Sequence, residues 1–206
     1  MKTAVLIRTR HRSDPVTECS YEWSEAVKQQ LEINNWQVID LAIDNAITSQ
    51  VESTLQNAKS DVVIFYGHGL PDCMMGQNEK AVINLDNVTL LKNQKNYVVA
   101  CLTTQELGKK AENIACCYLG YDKEVVLWFD YDYHYCLGEC VNKGILEMLN
   151  TPAYTFEQAR KKMIAEYEYW IEYFGSSGEK SDAEFAADLI HNCEALRLLG
   201  DRNATL

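Results

Sequence analysis

A histidine and a cysteine each stand at the end of an apolar run. The runs are Val62-Val63-Ile64-Phe65-Tyr66-Gly67-His68-Gly69 and Tyr97-Val98-Val99-Ala100-Cys101. Buried parallel strands read as continuous apolar runs, and open α/β sheets carry their sites just beyond the carboxyl ends of those strands. On neighbouring strands, these ends would set an imidazole beside a thiol, the material of nucleophilic catalysis. A thiol with an ordinary pKa of about 8.5 is mostly protonated at neutral pH, and the thiolate is the nucleophile. An imidazole within reach can take that proton and later hand it to a leaving amine. Gly69 leaves the amide after His68 open to a ligand, and the amide of Cys101 offers a second donor for a developing oxyanion. Gly67 lets the chain turn sharply off the strand. Alone, either reactive residue has a plain reading as a satisfied polar or core side chain. Their pairing on consecutive strand ends carries the argument.

The elements that must position them alternate along the chain. Residues 3–8 read as a first strand, followed by a polar loop through Pro15 and a helix over 18–34 with Trp23, Ala26, Val27 and Leu31 at helical spacing. A second strand spans 36–43 and a second helix 45–58, and the third strand, 61–66, leads to His68. Residues 69–80 look irregular, and 81–91 form a short strand or an amphipathic turn. After the strand at 97–101 come a helix over 105–117 and a further strand over 125–130. The remainder reads as helical: 135–149, then 155–174 opened by a Thr155–Gln158 capping box, and 182–199 beyond the Gly175–Gly178 hinge. This alternation implies an α/β fold, a mostly parallel sheet with helices on both faces.

The chain of 206 residues has a length fit for one domain, and its 47% hydrophobic content can fill a core. No apolar run approaches the roughly 18–20 residues of a membrane span, and the opening residues look like a strand rather than a signal peptide. A formal charge of −11 argues against direct nucleic-acid binding, which relies on basic surface. Eight cysteines without a signal peptide point to a reducing, cytoplasmic setting rather than a disulfide framework. The expected protein therefore binds no nucleic acid and no membrane.

The two strand ends resemble those of the caspase-like cysteine peptidases: caspases, gingipains, clostripain, separase and the bacterial CHAT domains. In that family one strand runs into His-Gly and the next into Ala or Asp followed by Cys, as in Ile64–Gly69 and Val98–Cys101 here. The Tyr-Gly-His-Gly and Val-Val-Ala-Cys forms look closest to CHAT or gingipain-like members. The resemblance implies one caspase-like domain over 1–206, with an α/β core at 1–134 and a helical C-terminal part at 135–206. It implies a cysteine endopeptidase acting on a protein or peptide substrate. His68 would be the catalytic histidine, Cys101 the nucleophile, and the amides of Gly69 and Cys101 the oxyanion hole. No cofactor and no metal are needed for this chemistry. Free-standing members resemble effectors switched on by a regulatory protein partner. The chain departs from many relatives in carrying Leu102-Thr103-Thr104 where Ser or Gly follows the cysteine. The alternative reading is a catalytically inactive caspase-like scaffold serving as an interaction module.

Loops at the same sheet edge would line a substrate pocket. Asp130 and Asp132 could pair with a Lys or Arg of the substrate, their plain alternative being a solvated acidic loop. Arg8, Arg10 and Arg12 flank the first strand end and would suit an acidic residue instead. His134, Cys136 and Cys140 could cluster as a zinc site, though no fourth ligand stands out. No Gly-x-Gly-x-x-Gly, P-loop or Gly-x-Ser-x-Gly sequence is present, which weakens the dinucleotide-binding, nucleotide-binding and serine-hydrolase readings.

Overall fold

The computed structural model describes residues 1–206, apart from the side chain of Tyr131. Six strands make the main sheet: β1 (Thr3–Arg8), β2 (Gln37–Ala42), β3 (Val62–Tyr66), β7 (Lys95–Val99), β8 (Cys117–Tyr121) and β9 (Leu196–Gly200). Their order is β2-β1-β3-β7-β8-β9. The first five run parallel, and β9 returns antiparallel to β8. A smaller antiparallel sheet of β4 (Gly69–Leu70), β5 (Cys73–Met75) and β6 (Ala81–Asn84) lies between β3 and β7 in the chain.

Side chains alternate across a strand, so each strand serves two cores. Leu6, Ile64, Tyr66, Tyr97 and Val99 face one core with helices α1 (Pro15–Ile33), α4 (Tyr131–Asn150), α5 (Phe156–Gly175) and α6 (Lys180–Ala195). Val5, Ile7, Val63, Phe65 and Val98 face the other, with α2 (Thr48–Asn57), α3 (Leu107–Ala111) and the small sheet. Tyrosines on the first face find partners as buried hydroxyls must. Tyr66 donates to Asn142 Oδ1 at 2.6 Å, and Tyr97 donates to the Val141 carbonyl at 2.6 Å.

Helix starts follow local chemistry. Asp14 accepts the Val16 amide as N-cap of α1, with Pro15 in the first turn where its missing N–H costs nothing. Thr155 and Gln158 form the expected reciprocal capping box on α5.

Several expected elements differ. The helix expected over 105–117 shrinks to α3, and its end, Cys117, begins the apolar strand β8 between β7 and β9. The strand expected over 125–130 is a stretch without regular structure, although Val125, Val126, Leu127, Trp128 and Phe129 are apolar. Its backbone is satisfied by a side chain instead of a ladder: the Val126 amide donates to Asn192 Oδ1, and Asn192 Nδ2 donates to the Val126 carbonyl, both at 2.8 Å. The helix expected to 199 ends at Ala195, because Leu196–Gly200 closes the sheet edge as β9. Residues 69–80, expected as irregular, contain β4 and β5. The helix expected from 135 begins at Tyr131. No described helix is long and apolar enough to cross a membrane.

Candidate active site

Register sets His68 and Cys101 level. Tyr66 pairs with Val99 across β3 and β7, and the two reactive residues each lie two positions further on. The strand ends are pressed together, since a Cβ built on Gly69 would stand 2.5 Å from the Cys101 carbonyl oxygen. One at Gly67 would stand 2.5 Å from Thr9 Oγ1, so β1 closes the other side. Glycine at both positions is a packing requirement.

His68 leaves the sheet with its side chain 45% exposed and meets Asp14, Nε2 to Oδ2 at 2.6 Å. Partial burial pushes the Asp14 carboxyl up, yet the hydrogen bond and charge of His68, with Thr17 and the Val16 amide, bring it below the usual carboxylate range. An ionised carboxylate only accepts, so Nε2 carries the hydrogen and Nδ1 remains to accept a proton. Nothing in the sequence linked these residues, because Asp14 falls in the loop expected through Pro15 and the helix expected from 18 begins at Pro15.

Cys101 is half-buried, and its Sγ accepts the Val125 amide at 3.2 Å. Burial pushes the thiol pKa up, with the Glu124 charge adding to it, and the Val125 hydrogen bond only partly offsets this. The thiol is therefore protonated at neutral pH. Among the described residues no hydrogen bond joins it to His68, and the two side chains line separate cavities. A cavity of about 260 Å³ holds His68 with Thr9, His11, Leu70, Met75 and Glu79. A cavity of about 20 Å³ adjoins Cys101, between Val16, Ser20, Trp23, Val99 and Leu127.

Backbone donors stand at the same edge. The His68 carbonyl accepts the Met75 amide at 3.0 Å, so His68 faces β5 and the next residue, Gly69, turns its amide away from β5. Leu102 follows the cysteine at φ 63°, a left-handed conformation that glycine adopts far more readily than leucine. Its amide donates to the Lys123 carbonyl at 3.1 Å, which helps hold the turn in place.

The acidic and basic candidates fall elsewhere. Asp130 and Asp132 are exposed at the start of α4 and line neither cavity. Arg8 is buried and engaged by Asp40 through two nitrogens, at 2.8 and 2.7 Å, and by Glu25 at 2.6 Å. Arg10 pairs with Glu18 at 2.7 Å, and Arg12 is exposed. Cys136 and Cys140 are buried in the core beneath α4, and no group of described residues gathers as a metal site.

The six-stranded sheet, parallel except for β9 and covered by helices on both faces, is a fold shared with solved structures. Among solved structures, 13 chains match this one. One is the crystal structure of the Arg-specific cysteine proteinase gingipain R, with a TM-score of 0.62 and 12% identity over 99% of this chain. This chain spans 47% of the length of that structure. At such identity the likeness establishes the fold alone. No protein-family model matches the chain, and no curated protein does.

Proposed function

We propose that the protein is a cysteine endopeptidase. The observation that carries this reading is the level placement of His68 and Cys101 on adjacent parallel strands, with Asp14 holding the imidazole. In the reaction, Cys101 Sγ attacks the scissile carbonyl carbon while its proton passes to His68 Nδ1. The carbonyl π electrons move to oxygen, and the amides of Gly69 and Cys101 face the resulting oxyanion. Collapse of this intermediate breaks the C–N bond, and His68 gives its proton to the departing amine. Water, deprotonated by the same imidazole, then hydrolyses the thioester and restores the thiol. Asp14 acts as a positioning residue, fixing the tautomer and stabilising the imidazolium.

The thiol accepts the Val125 amide, and the imidazole meets Asp14. Substrate must therefore bring Sγ and Nδ1 together, a tightening common on formation of a Michaelis complex. The CHAT-like form of the two strand ends extends the reading to a cytoplasmic enzyme gated by a protein partner. The same separation of His68 from Cys101 favours the alternative, a caspase-like scaffold without catalysis. A peptide library digested with wild type, Cys101→Ala and His68→Ala, read by mass spectrometry, separates the two. Cleavage lost in both variants supports the enzyme; products identical in all three would leave the scaffold reading.

A further inference from the structure

Hydrolysis at Cys101 gives the two cavities different occupants. His68 must protonate the leaving amine, so the residue after the scissile bond lies on the His68 side, beside the 260 Å³ cavity. The acyl half becomes bonded to Sγ, and its first side chain enters the cavity that adjoins Cys101. That space is about 20 Å³, little more than the roughly 10–15 Å³ that one water requires. As the structure stands, a small side chain fits this space better than a large one. Its walls beside Cys101 are Val16, Ser20, Trp23, Val99 and Leu127, with no carboxylate or cation among them. The Ser20 hydroxyl is already committed to the Thr17 carbonyl at 3.3 Å.

Trp23 sets the limit. Trp23 lines both the Cys101 cavity and a groove of about 350 Å³ between α1 and α4. The indole cannot swing aside freely. Its Nε1 donates to the His134 carbonyl at 3.1 Å, and a Cβ on Gly138 of α4 would stand 2.6 Å from that nitrogen. A smaller side chain at this position would leave more space beside Cys101.

We infer that Trp23 is a specificity-determining residue that restricts cleavage to bonds following Gly or Ala, excluding Arg, Asp and aromatic residues. This rests on the peptidase reading. The test uses fluorogenic peptides differing only in the residue before the scissile bond (Gly, Ala, Phe, Arg or Asp). It also uses acyloxymethyl ketones carrying Ala or Phe there, which alkylate an active-site thiol with loss of a carboxylate. Wild type, Cys101→Ala, Trp23→Leu and Leu127→Ala are compared; Leu127 lies half-buried in a segment without regular structure, so its truncation spares the helices.

The expected result is cleavage after Ala at least about tenfold faster than after Phe or Arg, the scale of size discrimination by an apolar pocket. Either enlarging variant should raise the Phe-to-Ala ratio by about tenfold. Cys101-dependent cleavage that prefers Arg, Asp or Phe, or ratios unmoved by both variants, overturns the inference and leaves the peptidase reading standing. If no peptide is cleaved in a Cys101-dependent way and neither ketone labels Cys101, both fall.

Discussion

Asp14 holds His68 with one carboxylate oxygen, Oδ2 at 2.6 Å from Nε2, while Oδ1 accepts the Val16 amide and caps α1. The start of a helix and the orientation of the imidazole thus depend on one side chain. Substitution can separate the roles, because Asn caps a helix about as well as Asp but carries no charge. Asp14→Asn should keep the cap and lower peptide hydrolysis, by up to the roughly 10²–10⁴-fold that acid–base assistance is worth. Asp14→Ala should lose activity as well and cost about 1 kcal/mol of stability.

The pH dependence has a definite sign. The folded Asp14 carboxyl titrates below its ordinary value, so the unfolded chain binds its proton more readily. Its contribution is complete above the unfolded value of about 4 and disappears as pH falls through the lower folded value. Urea unfolding of wild type and Asp14→Asn should therefore differ most above pH 5 and converge in stronger acid. A difference that grew on acidification would contradict the Asp14–His68 hydrogen bond.

The Cys101 thiol should react slowly with a small alkylating agent at neutral pH. Burial raises its pKa, and the Val125 amide does not compensate. Iodoacetamide labelling followed by mass spectrometry should accelerate about tenfold per pH unit through the neutral and mildly alkaline range. Since His68 bonds to Asp14, His68→Ala should leave this resting rate unchanged while abolishing peptide hydrolysis. A His68-dependent resting rate would mean that a preformed thiolate–imidazolium pair exists without substrate.

Asn192 is fully buried on α6 and satisfies both backbone groups of Val126. Nearby, Trp128 Nε1 donates to Asp188 at 2.8 Å, so α6 secures the segment that carries the Val125 amide to Cys101. Asn192→Ala removes the partners of two backbone groups, at a cost of about 1–3 kcal/mol. Hydrogen exchange over residues 124–128 should quicken, and labelling of Cys101 should rise with it. Unchanged exchange there would show that Asn192 is not what holds the segment.

Strands β1, β2, β3 and β7 and the placement of His68 and Cys101 just beyond neighbouring strand ends were legible because continuous apolar runs carry their own signal. Strand β8 was hidden because Cys117–Tyr121 continues an apolar stretch that helical spacing could equally explain. Residues 125–128 look like a strand for the same reason, and only Asn192, far along the chain, shows why no ladder is needed. Asp14 falls in what reads as a polar loop through Pro15, and its bond to His68 crosses from a helix start to another strand end. Trp23 fits the apolar face of α1 at helical spacing, and nothing local reveals that its ring also walls the cavity beside Cys101. Periodicity reports which face is buried, not what else that face touches.

Gly69 offers the most stringent test of how closely the strand ends must approach. An added methyl would meet the Cys101 carbonyl oxygen at 2.5 Å and the Ala100 side chain at 2.9 Å, and backbone there cannot yield without parting β3 from β7. Gly69→Ala should cost about 1–3 kcal/mol by overpacking. That corresponds to a fall in Tm of about 2–4 °C for each kcal/mol in a chain of this size. On the peptidase reading, activity should fall further than stability, because the same shift displaces the amide proposed to face the oxyanion. Gly175, at the end of α5, is the control: a methyl there meets nothing within 4 Å, so Gly175→Ala should stay within about 0.5 kcal/mol of wild type and retain full activity. Equal effects at the two glycines would mean that the close approach of His68 and Cys101 has no bearing on hydrolysis.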